Sequence, residues 1–183
     1  MPIQIGQKLE SDFNNPLGLL RDCHRRIERF LDMLIRVSDA RDGAQMLPQQ
    51  ISAFEKALDY FHSAAPKHTA DEEVSLFPRL RQVPGGLTAL DCMAKLESDH
   101  QAADRDHEKV EAFGREWLEK GVLDPRRRRE MKEALKRLSE MYGRHIEIED
   151  RELFPLAARI LPAEELAEVG REMAERRGAI LRS

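Results

Sequence analysis

His68 and Glu72 stand four residues apart, and His145 and Glu149 repeat that spacing later in the chain. In an α-helix, residues four apart differ by about 40° around the axis and about 6 Å along it. Each pair therefore offers one imidazole nitrogen and one carboxylate oxygen to the same side of a helix, and the carboxylate keeps a second oxygen with which to bridge to another ion. Imidazole suits iron, zinc, copper and nickel, and carboxylate extends the range to manganese, so the mixed set points to a transition metal. The pairs belong to a longer repeat. His68-Thr-Ala-Asp-Glu72-Glu73-Val-Ser-Leu76-Phe77-Pro78 aligns without gaps on His145-Ile-Glu-Ile-Glu149-Asp150-Arg-Glu-Leu153-Phe154-Pro155. Agreement at the histidine, the glutamate, the acid after it and the Leu-Phe-Pro marks one structural unit used twice.

Two further histidines, His24 and His100, also have a carboxylate four residues on, Glu28 and Asp104. The candidate metal ligands are thus His24, Glu28, His68, Glu72, His100, Asp104, His145 and Glu149. That is more ligand capacity than one tetrahedral zinc uses, and a two-metal centre accommodates it better. His107 shares a face with His100 but falls about 10 Å further along the axis, too far for ions about 3.5–4 Å apart. His62 is rotated by about 120° from His68 and stays outside the set. Glu73 and Asp150 are rotated by about 100° from the glutamates before them and read as groups behind the ligands or in solvent.

No pairing of nucleophile and general base accompanies these residues, so any turnover would be metal-centred redox chemistry. Apolar residues make up 41% and charged residues 35% of the 183, with few of the aromatic and β-branched types that favour strands. The composition is that of an all-α protein, and the length suits one domain over residues 1–183. A net charge of −4 with basic and acidic residues interleaved gives no call for a polyanion partner, so nucleic-acid binding is disfavoured. No apolar run approaches the roughly 20 residues that span a bilayer, and Met1-Pro2-Ile3-Gln4 lacks the basic-then-apolar pattern of a leader. A cytoplasmic protein without a membrane partner is the expectation. Cys23 and Cys92 are far apart and form no C-x-x-C, so both read as reduced residues in or near the core.

The elements that must position the ligands follow from periodicity and punctuation. Asn15-Pro16 is a cap followed by a first-turn proline, and Leu20, Cys23, Ile27, Phe30, Leu31 and Leu34 give the helix to about Ser38 one apolar face. Pro48 opens a second helical stretch to about Leu80, which Pro66 should kink just before His68. After Pro84-Gly85-Gly86 a third helix runs from about Thr88 to Lys120, ended by Gly121. Asp124-Pro125 starts a fourth to about Ile160, bent near Pro155, and a shorter fifth spans about 162–177. Four long helices with short connections predict an antiparallel up-down four-helix bundle over about 14–160, with an additional short C-terminal helix. The two Leu-Phe-Pro segments should close one end of it with apolar packing.

On His24, the HTADEEVSLFP segment from His68, His100 and the HIEIEDRELFP segment from His145, the chain resembles the hemerythrin-like family, the HHE cation-binding domain. The resemblance implies an up-down four-helix bundle with a non-haem di-iron centre, two irons joined by an oxo or hydroxo bridge, with zinc or manganese less favoured. It places His24, His68, His100 and His145 as terminal ligands and Glu72 and Glu149 as bridges. Where oxygen-carrying members have a second histidine four residues after the first in the third helix, this chain has Asp104. The added negative charge favours the ferric state and argues against simple reversible oxygen carriage. The implied roles are binding or sensing oxygen, peroxide or nitric oxide, or handling iron, with a small diatomic or peroxide as ligand and a homo-oligomer left open. Two other readings stand beside it. One is ferritin-like iron oxidation or storage, whose Glu-x-x-His signature differs from the spacing here. The other is an interaction or regulatory module with a structural metal.

Overall fold

The computed structural model describes residues 11–179, all of whose regular structure is helical. The reading of Met1 to Gln4 lies outside the described residues. Helix α1 spans Pro16–Arg41, α2 Pro48–Ser63, α3 Ala65–Ala70, α4 Phe77–Gln82, α5 Leu90–Lys120, α6 Pro125–Ile148, α7 Phe154–Ile160 and α8 Ala163–Arg176. Between α3 and α4 lies a π-helical turn, Asp71–Leu76, and a second one, Glu149–Leu153, joins α6 to α7. A 3₁₀ segment, Pro84–Ala89, precedes α5.

The starts follow the capping chemistry. Asn15 accepts a hydrogen bond from the Gly18 N–H, and Asp124 accepts from Arg126 and Arg127, each next to a first-turn proline whose missing N–H costs nothing there. Helix α1 runs one turn past the expected Ser38, because Asp42 takes a left-handed conformation (φ 48°) and closes the end onto the Ser38 carbonyl. Gly121, at φ 73°, ends α5 in the same way without a Cβ penalty.

The expected kink at Pro66 is a break: α2 stops at Ser63, and Pro66 sits in the first turn of α3. The π turns were not legible. In each, the N–H of the phenylalanine bonds five residues back, Phe77 to Glu72 and Phe154 to Glu149. Pro78 and Pro155 come next, and in an unbroken α-helix their rings would strike the carbonyl four residues earlier. The wider turn relieves that clash, and it lets Glu72, Leu76 and Phe77 all reach the interior.

Helix α1 packs on α2 and α6, and α5 packs on the same two, so the four long segments enclose a common interior. That interior holds two apolar clusters. One gathers Ile27, Leu31, Leu34, Phe54, Leu58, Val110, Trp117, Leu135 and Leu138. The other gathers Leu20, Leu76, Phe77, Leu80, Met93, Leu96, Leu153 and Phe154 with Val169 and Met173 of α8. Leu76, Phe77, Leu153 and Phe154 of the two Leu-Phe-Pro segments lie in this second cluster, as their sequence suggested, while Pro155 is exposed. Cys23 is buried, Cys92 half-buried, and both are free thiols. Among the described residues no helix is long and apolar enough to cross a membrane.

Candidate metal centre

His24 lies between Leu20 and Ile27 on α1, and His100 lies between Leu96 and Ala103 on α5, so each occupies the seam between the two apolar clusters. His68 and His145 enter the same layer from α3 and α6, each followed one turn later by its glutamate at the start of a π turn. All six side chains are buried, and Glu72 and Glu149 are wholly inaccessible to solvent. The structure thus brings together His24, His68, Glu72, His100, His145 and Glu149.

The donor atoms converge. His24 Nε2 is 3.1 Å from Glu149 Oε2 and 3.7 Å from Glu72 Oε1, and His68 Nε2 is 3.2 Å from Glu72 Oε1. His100 Nε2 is 3.5 Å from Glu72 Oε2, and His145 Nε2 is 3.2 Å from Glu149 Oε2. Two sets of atoms lie within ion-binding reach of one another: His24, His68, Glu72 and Glu149 form one, and Glu72, His100 and His145 the other. Glu72 is common to both, one oxygen turned to each side.

Behind the rings stand further carboxylates. His24 Nδ1 meets Asp150 Oδ1 at 3.0 Å, and His100 Nδ1 meets Glu73 Oε1 at 2.8 Å. Asp99 Oδ2 is 3.8 Å from His145 Nδ1. A carboxylate behind an imidazole fixes the ring and its tautomer and leaves the other nitrogen for a metal. The rotation of Glu73 and Asp150 away from the ligand face was legible in sequence; their partners on other helices were not. His24 is also stacked on Phe154, with ring centroids 5.4 Å apart.

The donors fit a metal. Both oxygens of Glu72, both of Glu149, and the Nε2 atoms of His24 and His145 are buried without a hydrogen-bond partner. Buried polar atoms are rarely left so, and a cation at their centre would satisfy them together. The charges agree. Burial and the neighbouring Glu149 push the Glu72 carboxyl well above the usual range. Burial would raise Glu149 as well, but His145 and His24 hold it low. Burial opposes a charge on His24, yet Asp150, Glu149 and Glu72 raise it well above the ordinary imidazole value. Burial and the adjacent His24 depress His68 well below it. Protons thus share the charge that a metal would otherwise balance.

Two expected ligands do not join. Glu28 and Asp104 are both exposed and belong to neither donor set. Four residues along a helix add about 40° of rotation, enough to carry a residue from the edge of a buried stripe into solvent. Asp104 instead lines a cavity of about 240 Å³ with Phe61, His107 and Tyr142. There His107 Nε2 and the Tyr142 hydroxyl share a 3.0 Å hydrogen bond, and His107 stacks on Phe61. Tyr142, one turn before His145 and with its ring centroid 6.4 Å away, is a neighbour of the site that the sequence reading missed. Its place one turn from a ligand was the available signal. His62 pairs with Glu111 at the surface, away from the donors.

The family model for the hemerythrin HHE cation binding domain matches residues 15–157, which contain all six donors. The chain belongs to that family. An uncharacterized protein of Haemophilus influenzae is 31% identical over 166 residues, covering 90% of this chain and 91% of its own. Membership in the hemerythrin HHE family agrees with cation binding at the clustered histidines and glutamates. The matched residues end within α7, so α8 lies beyond them.

Proposed function

We propose that this protein, a single domain built as an up-down antiparallel four-helix bundle, holds two iron ions and uses them to bind or sense oxygen, peroxide or nitric oxide in the cytoplasm. One observation carries the reading: two donor sets meet at a shared, fully buried carboxylate, with four imidazoles and two carboxylates between them. A single ion would leave part of this set unsatisfied. Two ions would use all of it, and iron, which commonly takes more ligands than this set offers each ion, would then have room for small exogenous ligands. A structural zinc, closed by four ligands, has no need of so large a set.

Within this reading Glu72 is the bridging carboxylate, since its two oxygens face different histidines. Glu149 Oε2 meets both His24 and His145 and would serve the ion held by His24, His68 and Glu72. Asp150 and Glu73 keep the His24 and His100 rings aimed inward, and Phe154 and Phe77 wall off water from one side. Iron so held would supply one-electron chemistry and affinity for diatomic ligands.

The test is metal analysis with an ultraviolet-visible spectrum of protein prepared without oxygen, then exposed separately to air, peroxide and nitric oxide. About two irons per chain, with a new charge-transfer band on exposure, is the expected result. One colourless zinc, and a spectrum indifferent to all three, would overturn the proposal.

A further inference from the structure

The two copies of the repeat match on the face that carries the donors and differ on the face about 100° round from it. Asp71, Ser75 and Arg79 form a polar stripe at four-residue steps, where the second copy has Ile148, Glu152 and Leu156. That stripe meets α8. Arg176 Nη1 donates to Asp71 Oδ1 at 2.6 Å, while Arg177 reaches Oδ2 at 2.5 Å and Oδ1 at 3.1 Å. Ser75 donates to Glu172 and accepts from Arg176. Arg79 bonds Glu172 at 2.9 Å and Glu165 at 2.9 Å, and also donates to the Ser75 carbonyl within the π turn at 2.8 Å.

Asp71 is wholly buried, and a buried carboxylate is tolerated only when its oxygens are satisfied. Two guanidinium groups meet that demand, so the position of Asp71 is tied to α8. Asp71 directly precedes Glu72, the residue common to both donor sets. The rest of α8 is seated firmly enough to serve as an anchor. Val169, Gly170, Met173 and Ala174 are buried, and a Cβ at Gly170 would lie 2.0 Å from the Phe13 carbonyl oxygen, so only glycine permits that contact. At the corresponding place in the second copy Ile148, the last residue of α6, packs against apolar neighbours rather than being held by charge.

Resting on the two-metal reading, we infer that Asp71, Arg176 and Arg177 form a latch through which α8, a helix outside the family match, fixes the first π turn and positions Glu72 as the ligand shared by both ions. The three are positioning residues and not ligands. Because the shared carboxylate is the one held, breaking the latch loosens both ions together, not one of them.

The experiment uses the full chain loaded with ferrous iron under anaerobic conditions. Wild type, Asp71→Asn, Arg176→Gln and Arg177→Gln are compared with Leu135→Ala, a buried change in the other apolar cluster. Two quantities are read: the rate at which a strong chelator removes iron, and the unfolding midpoint with and without metal. The latch variants are expected to lose iron about tenfold to a hundredfold faster, both ions in one phase, with a reduced metal-induced gain in midpoint. Leu135→Ala is expected to lower both midpoints equally and leave extraction unchanged. Extraction at the wild-type rate, release of one ion only, or an equal fall of both midpoints in the latch variants would overturn the inference. Should Asp71→Asn not fold, the two arginine variants read the same quantities. A wild type that takes up no iron rejects the metal reading itself, a different failure.

Discussion

Asp150, the residue that follows Glu149 at the second π turn, places its carboxylate 3.0 Å from Nδ1 of His24 on α1. One helix therefore both supplies a donor and aims the ring of its neighbour. Glu73 does the same for His100 from the first copy, so the acid after each glutamate in the repeat orients a histidine on an adjacent helix. Losing the carboxylate frees the ring to rotate and removes the charge that raises its basicity. Asp150→Ala is expected to weaken metal binding about tenfold to a hundredfold, and Asp150→Asn, which can still accept from Nδ1–H, by less. Competition titration against a chelator of known affinity measures both, and equal affinities for wild type and Asp150→Ala would contradict the role.

Glu72 and Glu149 look interchangeable in the repeat, but only Glu72 belongs to both donor sets. Glu72→Gln is expected to abolish binding of both ions. Glu149→Gln removes one donor from a single set and leaves Glu72, His100 and His145 together, so it should retain about one ion per chain. The metal-to-protein ratio after loading and desalting decides this, and identical ratios for the two variants would refute the distinction.

Metal uptake should expel protons. With Glu72 held well above the usual carboxyl range and His24 well above the usual imidazole range, both keep their protons to higher pH in the metal-free protein than the free groups would. Ligands must be deprotonated to bind, so apparent affinity is expected to rise with pH. Binding heats measured in buffers of different ionisation enthalpy should differ in proportion to the protons released; the same heat in every buffer would argue against protonated ligands.

His107 should make the fold acid-sensitive. Its burial lowers its pKa from 6.5 to about 4. The folded value lies below the unfolded one, so between those two pH values the unfolded chain takes up a proton that the folded chain refuses. Stability therefore falls as pH drops through this window, by about 3 kcal/mol in all once both limits are passed. His107→Gln can keep a hydrogen bond to Tyr142 without titrating. Urea unfolding at pH 7 and pH 5 is expected to show a smaller loss for this variant than for wild type, and parallel losses would place the acid sensitivity elsewhere.

The sequence by itself determined the helical class and the duplicated His-x3-Glu unit and narrowed the candidate ligands to eight residues, because a helix repeats every 3.6 residues and so places residues four apart near one side wherever it lies. It also determined the burial of Leu76, Phe77, Leu153 and Phe154, whose apolar side chains leave them little choice but the core. Only the tertiary structure decided that Glu28 and Asp104 face solvent, since they sit at the margin of a buried stripe and the tilt of each helix against its neighbours settles on which side they fall. It alone decided that Glu72 serves both donor sets, that Asp150 and Glu73 stand behind histidines of other helices, and that Arg176 and Arg177 close on Asp71. Each of these is a meeting between residues distant along the chain, fixed by the rotation and axial offset of one helix on another, and no local period encodes either quantity.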